Sequence, residues 1–113
     1  MRKQGNVSKS KDVQIFITKN PRKKYSYAIM RQGRFDGLKE YVRENREWIQ
    51  WIRIGYEWDE TGKRIGAATL EIQRKHLSLF IEFCINTCAA QSIKKCDIYI
   101  RDNNESEYIK YDI

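Results

Sequence analysis

His76, Cys84 and Cys88 follow one another at helical spacing, with Phe80 between the first two and Cys96 further along the chain. Imidazole and thiolate are the usual ligands of zinc, so this ladder is the first place to look for a metal. No tight Cys-x-x-Cys pair accompanies it, and Phe80 belongs to an apolar stripe in which a reduced cysteine packs as a small hydrophobe. Core packing is the reading adopted for these side chains, and no metal or other cofactor is expected. Asp59 and Glu71 are carboxylates of the kind that hold Mg²⁺ in nucleases, but the lysine expected after Glu71 is missing. The lone histidine has no convincing serine or cysteine partner for nucleophilic catalysis. The sequence points away from an enzyme.

A different chemistry is written into Trp51–Glu82, where aromatic and basic residues interleave. Single-stranded nucleic acid is held by aromatic rings that stack on bases, each contributing about 1–3 kcal/mol, beside Lys and Arg that follow the phosphates. The alternation assigns Trp51, Arg53, Gly55 and Glu57 to one strand face, and Ile52, Ile54, Tyr56 and Trp58 to the core face. Lys63 and Arg64 stand in the turn between Gly62 and Gly66. Trp51, Arg53, Tyr56, Lys63 and Arg64 are therefore candidate nucleic-acid contacts, joined by Arg22, Lys23 and Lys24 at the tip of an earlier hairpin. The formal charge of +7 resides in residues 1–24, which hold eight Lys and Arg against Asp12 alone. Such a segment is drawn to phosphate through counterion release, a term that weakens steeply with salt.

The elements that must position these residues follow from hydrophobic period. At 113 residues one domain is expected, over 12–113, behind a disordered basic arm over 1–11 that has no apolar periodicity. Val13, Ile15 and Ile17 alternate as a strand, with Phe16 a second-face residue, and Tyr25–Arg31 returns as its partner after Asn20-Pro21. Phe35, Leu38 and Val42 predict a short helix over Phe35–Arg46, and Trp48–Trp58 with Lys63–Ile72 a second hairpin. Leu77, Phe80, Ile81, Cys84, Ile85 and Cys88 form the stripe of a second helix. Lys95–Arg101 and Glu107–Ile113 predict a closing hairpin. The expected fold is α+β, an antiparallel sheet packed by one or two helices in the order ββαββαββ.

Ile52-Arg53-Ile54, Tyr56-Glu57-Trp58-Asp59, Gly62-Lys63-Arg64-Ile65-Gly66, Leu70 and the helix through Phe80 together resemble the core of the transcriptional positive cofactor 4 family. The resemblance covers about a third of the chain, from Trp51 to Glu82. It implies a curved antiparallel sheet backed by a helix, a homodimer, and binding of single-stranded DNA by the sheet and its basic loop. The Pur-alpha repeat, four strands followed by a helix, is a looser analogue.

Two other classes compete with a single-strand binder. Lys39, Arg43 and Arg46 align on the first predicted helix, as in a winged-helix reader of duplex DNA. Tyr, Trp and Arg also dominate protein hot spots, which suits a protein–protein accessory module of phage or plasmid type. No run approaches the roughly 18 apolar residues of a membrane span. Three cysteines without paired spacing lead us to expect free thiols and an intracellular location.

Overall fold

The computed structural model describes residues 12–31, 35–91, 93 and 95–112. The predicted basic arm, 1–11, lies outside them. β1 (Asp12–Thr18) and β2 (Tyr25–Arg31) pair as an antiparallel hairpin. Their period of two buries Val13, Ile15 and Ile17 with Ser26, Ala28 and Met30 on one face. In the connecting turn Asn20 takes a φ of 52°, which asparagine tolerates better than most residues.

α1 (Leu38–Glu44) begins after Gly37, whose φ of 86° suits a residue without a Cβ. It buries Leu38 and Val42 beside Phe35 and is shorter than the expected Phe35–Arg46. The Asn45 side-chain amide donates to the Tyr41 carbonyl at 2.8 Å, a local bond that competes with continuing the helix. β3 (Ile49–Trp58) and β4 (Arg64–Gln73) form a long hairpin. A single turn of 3-10 helix, Arg74–His76, then leads into α2 (Leu77–Ala90), which buries Leu77, Phe80, Cys84 and Cys88. β5 (Lys95–Arg101) and the two-residue β6 (Ile109–Lys110) complete the described elements.

The six strands make one sheet in the order β3-β4-β2-β1-β5-β6. The fold is α+β, with both helices contributing to the core over one face of the sheet. Among the described residues the other face carries no helix. The expectation of a wholly antiparallel sheet is corrected at β1 and β5, which run parallel. The parallel pair follows from α2, which carries the chain back across the sheet as a crossover so that β5 enters in the direction of β1.

The expected last hairpin reduces to Tyr99↔Lys110 and Ile100↔Ile109, and Ile113 lies outside the described residues. The expectation of free thiols is also corrected. Cys88 is bonded to Cys96, across the short connection from α2 to β5, while Cys84 remains a free, buried thiol whose pKa is pushed up by burial. The cysteine argument for a reducing compartment falls with that bond. Among the described residues no helix is long and apolar enough to cross a membrane.

Candidate nucleic-acid interface

One residue rearranges the predicted site. Between Trp51 and Arg53 the β3–β4 register shifts, so that Trp51 opposes Leu70 and Arg53 opposes Thr69, with Ile52 bulged out. A bulge adds one residue to a strand and reverses its facing pattern from there on. Trp51 therefore shares the helix-bearing face with Ile54, Tyr56 and Trp58, and packs half-buried against the core. Arg53 lies on the open face with Gln50, Gly55 and Glu57. The expectation that Trp51 and Arg53 stand together is thus contradicted. So is the assignment of Ile52, Ile54, Tyr56 and Trp58 to a buried core face, because all four are exposed.

The remaining predicted contacts are dispersed as well. Tyr56 stacks under the Arg64 guanidinium at 4.4 Å on the helix side of the hairpin. With Trp51, Ile54 and Phe35 it lines an open groove of about 660 Å³ against the start of α1. Lys63 and Arg64 occupy the distal end of β3–β4, whereas Arg22, Lys23 and Lys24 occupy the turn at the opposite end of the sheet, where Tyr25 opposes Gln73. Arg64 and Gln73 stand nine positions apart along β4, about 30 Å. The eight residues do not make one site.

Asp59 lies in the β3–β4 turn and Glu71 near the opposite end of β4, so the two carboxylates do not meet. Asp59 holds the hairpin turn: its Oδ1 accepts from the Thr61 hydroxyl at 2.7 Å and from the amides of Thr61 and Lys63, each at 2.9 Å. Those donors, the Thr61 hydroxyl foremost, hold its carboxyl below the usual range. Gly62, with φ of 83°, closes the turn. Glu71 instead accepts from Gln50 Nε2 at 2.6 Å and from the Tyr27 hydroxyl at 3.2 Å. Burial, reinforced by Glu71, raises the Tyr27 pKa. The Lys39, Arg43 and Arg46 alignment is corrected too, since α1 ends before Arg46.

What the fold does assemble is an aromatic and arginine cluster on the open face. Phe16 of β1 stacks on its register partner Tyr99 of β5, and Tyr108 meets Phe16 edge-on at 5.2 Å. The Arg31 guanidinium lies 4.7 Å from the Phe16 ring centre and bridges to Glu57 at 3.0 Å. Arg101 lies 4.4 Å from the Tyr108 ring and donates from Nε to the Thr18 hydroxyl at 2.9 Å. Tyr25, Tyr27 and Ile29 of β2 continue this half-buried surface. Planar cations parked on ring faces are fixed in orientation while remaining weakly hydrated.

A basic rim borders the cluster. The Arg74 amide donates to the Lys24 carbonyl at 2.9 Å and Arg74 Nε to the Lys23 carbonyl at 3.0 Å, which joins the β1–β2 turn to the 3-10 turn before α2. Arg22, Lys23, Lys24, Arg74 and Lys75 are all exposed there. Among the described residues none of the five forms an ion pair, whereas neighbouring Lys19 pairs with Asp102 at 3.6 Å.

Sequence reasoning found the Arg22–Lys24 half of the rim and missed Arg74 and Lys75, which only tertiary structure brings alongside. It also missed Phe16, Tyr99, Tyr108, Arg31 and Arg101 as a group. The available signal was the polar-side parity of Phe16 and Tyr99, each an aromatic between the core-facing isoleucines of its strand. No family model, curated protein or solved structure matches this chain.

Proposed function

We propose that this chain binds single-stranded nucleic acid on the open face of its sheet, as a binding protein without catalysis of its own. The observation that carries the reading is the continuity of two surfaces. The exposed cations Arg22, Lys23, Lys24, Arg74 and Lys75, which form no ion pair among the described residues, border the strand ends that present Tyr25, Tyr27, Phe16 and Tyr99. Phosphates run along the rim and Arg101, while bases lie against the rings, each such stack contributing about 1–3 kcal/mol. A sheet presenting aromatics to splayed bases reads single strands, because paired bases keep their faces covered. DNA rather than RNA is proposed on the resemblance of Trp51–Glu82 to the positive cofactor 4 family.

Fluorescence anisotropy of a labelled single-stranded oligonucleotide, titrated with the full chain at low and high salt, tests the proposal. Binding that weakens steeply with salt, with a matched duplex bound less tightly, is the expected result. Absence of salt-dependent binding to the single strand overturns it.

A further inference from the structure

Among the described residues β3 is an outer edge of the sheet, paired with β4 alone. Edge strands are ordinarily guarded by charged side chains, above all lysine, by proline, by a bulge or by a short length. The ten residues of β3, Ile49–Trp58, contain neither lysine nor proline. Its bulge sits at Ile52 and leaves Arg53–Trp58 regular. Along that edge run the most exposed apolar side chains of the hairpin: Ile54 at 58%, Tyr56 at 63% and Trp58 at 71%.

The sequence of this edge is complementary to itself. When two such strands run antiparallel with Gly55 opposite Gly55, Arg53 of each copy faces Glu57 of the other and Ile54 faces Tyr56. Ile52 and Trp58 flank the pair. The apolar partners fall on the helix-bearing side and the charged partners on the open side, because cross-strand partners share a face. Glu57 bridges to Arg31 through Oε1, and in such a pair its Oε2 is the acceptor for Arg53 of the other copy. At the twofold point Gly55 leaves open space on the open face, with no heavy atom within 4 Å of where a Cβ would sit, so a side chain introduced there meets no neighbour of its own chain.

We infer that the occupant of this edge is a second copy of the same chain, paired β3 to β3 about Gly55 in a twofold dimer with a continuous twelve-stranded sheet. A twofold contact requires a surface that complements itself, and the Arg53/Glu57 and Ile54/Tyr56 exchange meets that requirement. Both open faces then lie on the same side of the joined sheet.

Light scattering coupled to size exclusion on the full chain tests the inference, with an expected mass twice the 13.6 kDa of one chain. Arg53→Glu and Glu57→Arg each place like charges opposite one another, and each variant alone is expected to run at the single-chain mass. Mixed in equal amounts, the two variants regain opposite charges at both contacts, and the doubled mass is expected to return. Gly55→Cys supplies a readout free of charge effects: mild oxidation is expected to cross-link it into a reducible dimer, while Lys63→Cys at the hairpin tip does not cross-link. A single-chain mass for the wild type overturns the inference, as does cross-linking of Gly55→Cys no faster than Lys63→Cys. These readouts are independent of oligonucleotide binding.

Discussion

Phe16 and Tyr99 are register partners on two parallel strands, with ring centroids 5.0 Å apart and planes 12° from parallel. Neither ring belongs to the core beneath the helices; both lie on the open face, Phe16 between Tyr99 and the Arg31 guanidinium. Phe16→Ala and Tyr99→Ala are each expected to weaken single-strand binding by about 1–3 kcal/mol. Leu79→Ala, an exposed position on α2, is expected to leave it unchanged. Anisotropy titrations of the three variants, with melting curves to confirm folding, decide the matter. Equal losses in all three would remove the open face from consideration.

The rim predicts a change in slope rather than in affinity alone. Each phosphate contact on a single strand contributes about −0.7 to the dependence of log K on log salt. Replacing Arg22, Lys23 and Lys24 together by glutamine is therefore expected to flatten that slope by about 2. An unchanged slope would mean that this turn does not touch phosphate.

Asp59 sets a pH response of the distal hairpin. Its carboxyl is held low chiefly by the Thr61 hydroxyl and then by the Lys63 amide. As pH falls, the unfolded chain takes up the proton first. The turn's contribution is therefore complete above the ordinary carboxylate value and is lost as pH falls through the depressed folded value. NMR titration of the Asp59 carboxyl should show the low midpoint, and Thr61→Ala should move it up toward the ordinary range. A midpoint already at that range in the wild type would refute the assignment.

The Cys88–Cys96 bond closes a short loop, with a sequence separation of eight. Chain-entropy reasoning gives about 2–3 kcal/mol for a loop of this size. Cys96→Ser is expected to lower stability by that amount in a denaturant titration, while α2 stays in place through Phe80 and Cys84. Identical midpoints for the wild type with and without reductant would show that the bond does not form in solution.

The sequence made the core legible wherever period and burial agreed. Val13, Ile15 and Ile17 announce β1, and Leu77, Phe80, Cys84 and Cys88 announce α2, because both patterns are local and uninterrupted. β3 departs from its expected facing for one physical reason: a period-two count has no means of registering the extra residue at Ile52, which brings Trp51 and Ile54 to the same face. Exposure of Ile54, Tyr56 and Trp58 was equally hidden, since hydrophobicity names a side chain's preference and not whether a helix reaches far enough to cover it. The Phe16–Tyr99 pairing and the meeting of Arg74 with Lys23 and Lys24 depend on contacts between distant segments, which no local pattern encodes.

The parallel pairing of β1 with β5 has a consequence for the order of events during synthesis. Thr18 and Arg101, linked across that boundary, are 83 positions apart. Until the ribosome has delivered Lys95–Arg101, the β1–β2 hairpin has one flank with its backbone donors and acceptors unmet and Phe16 without its stacking partner. Contacts that close such long loops form slowly, and an open flank is a site where nascent chains adhere to one another. One of the sheet's two central strands is thus the one that waits longest for its neighbour, and the chain's early yield should depend on whatever shields that flank in the interval.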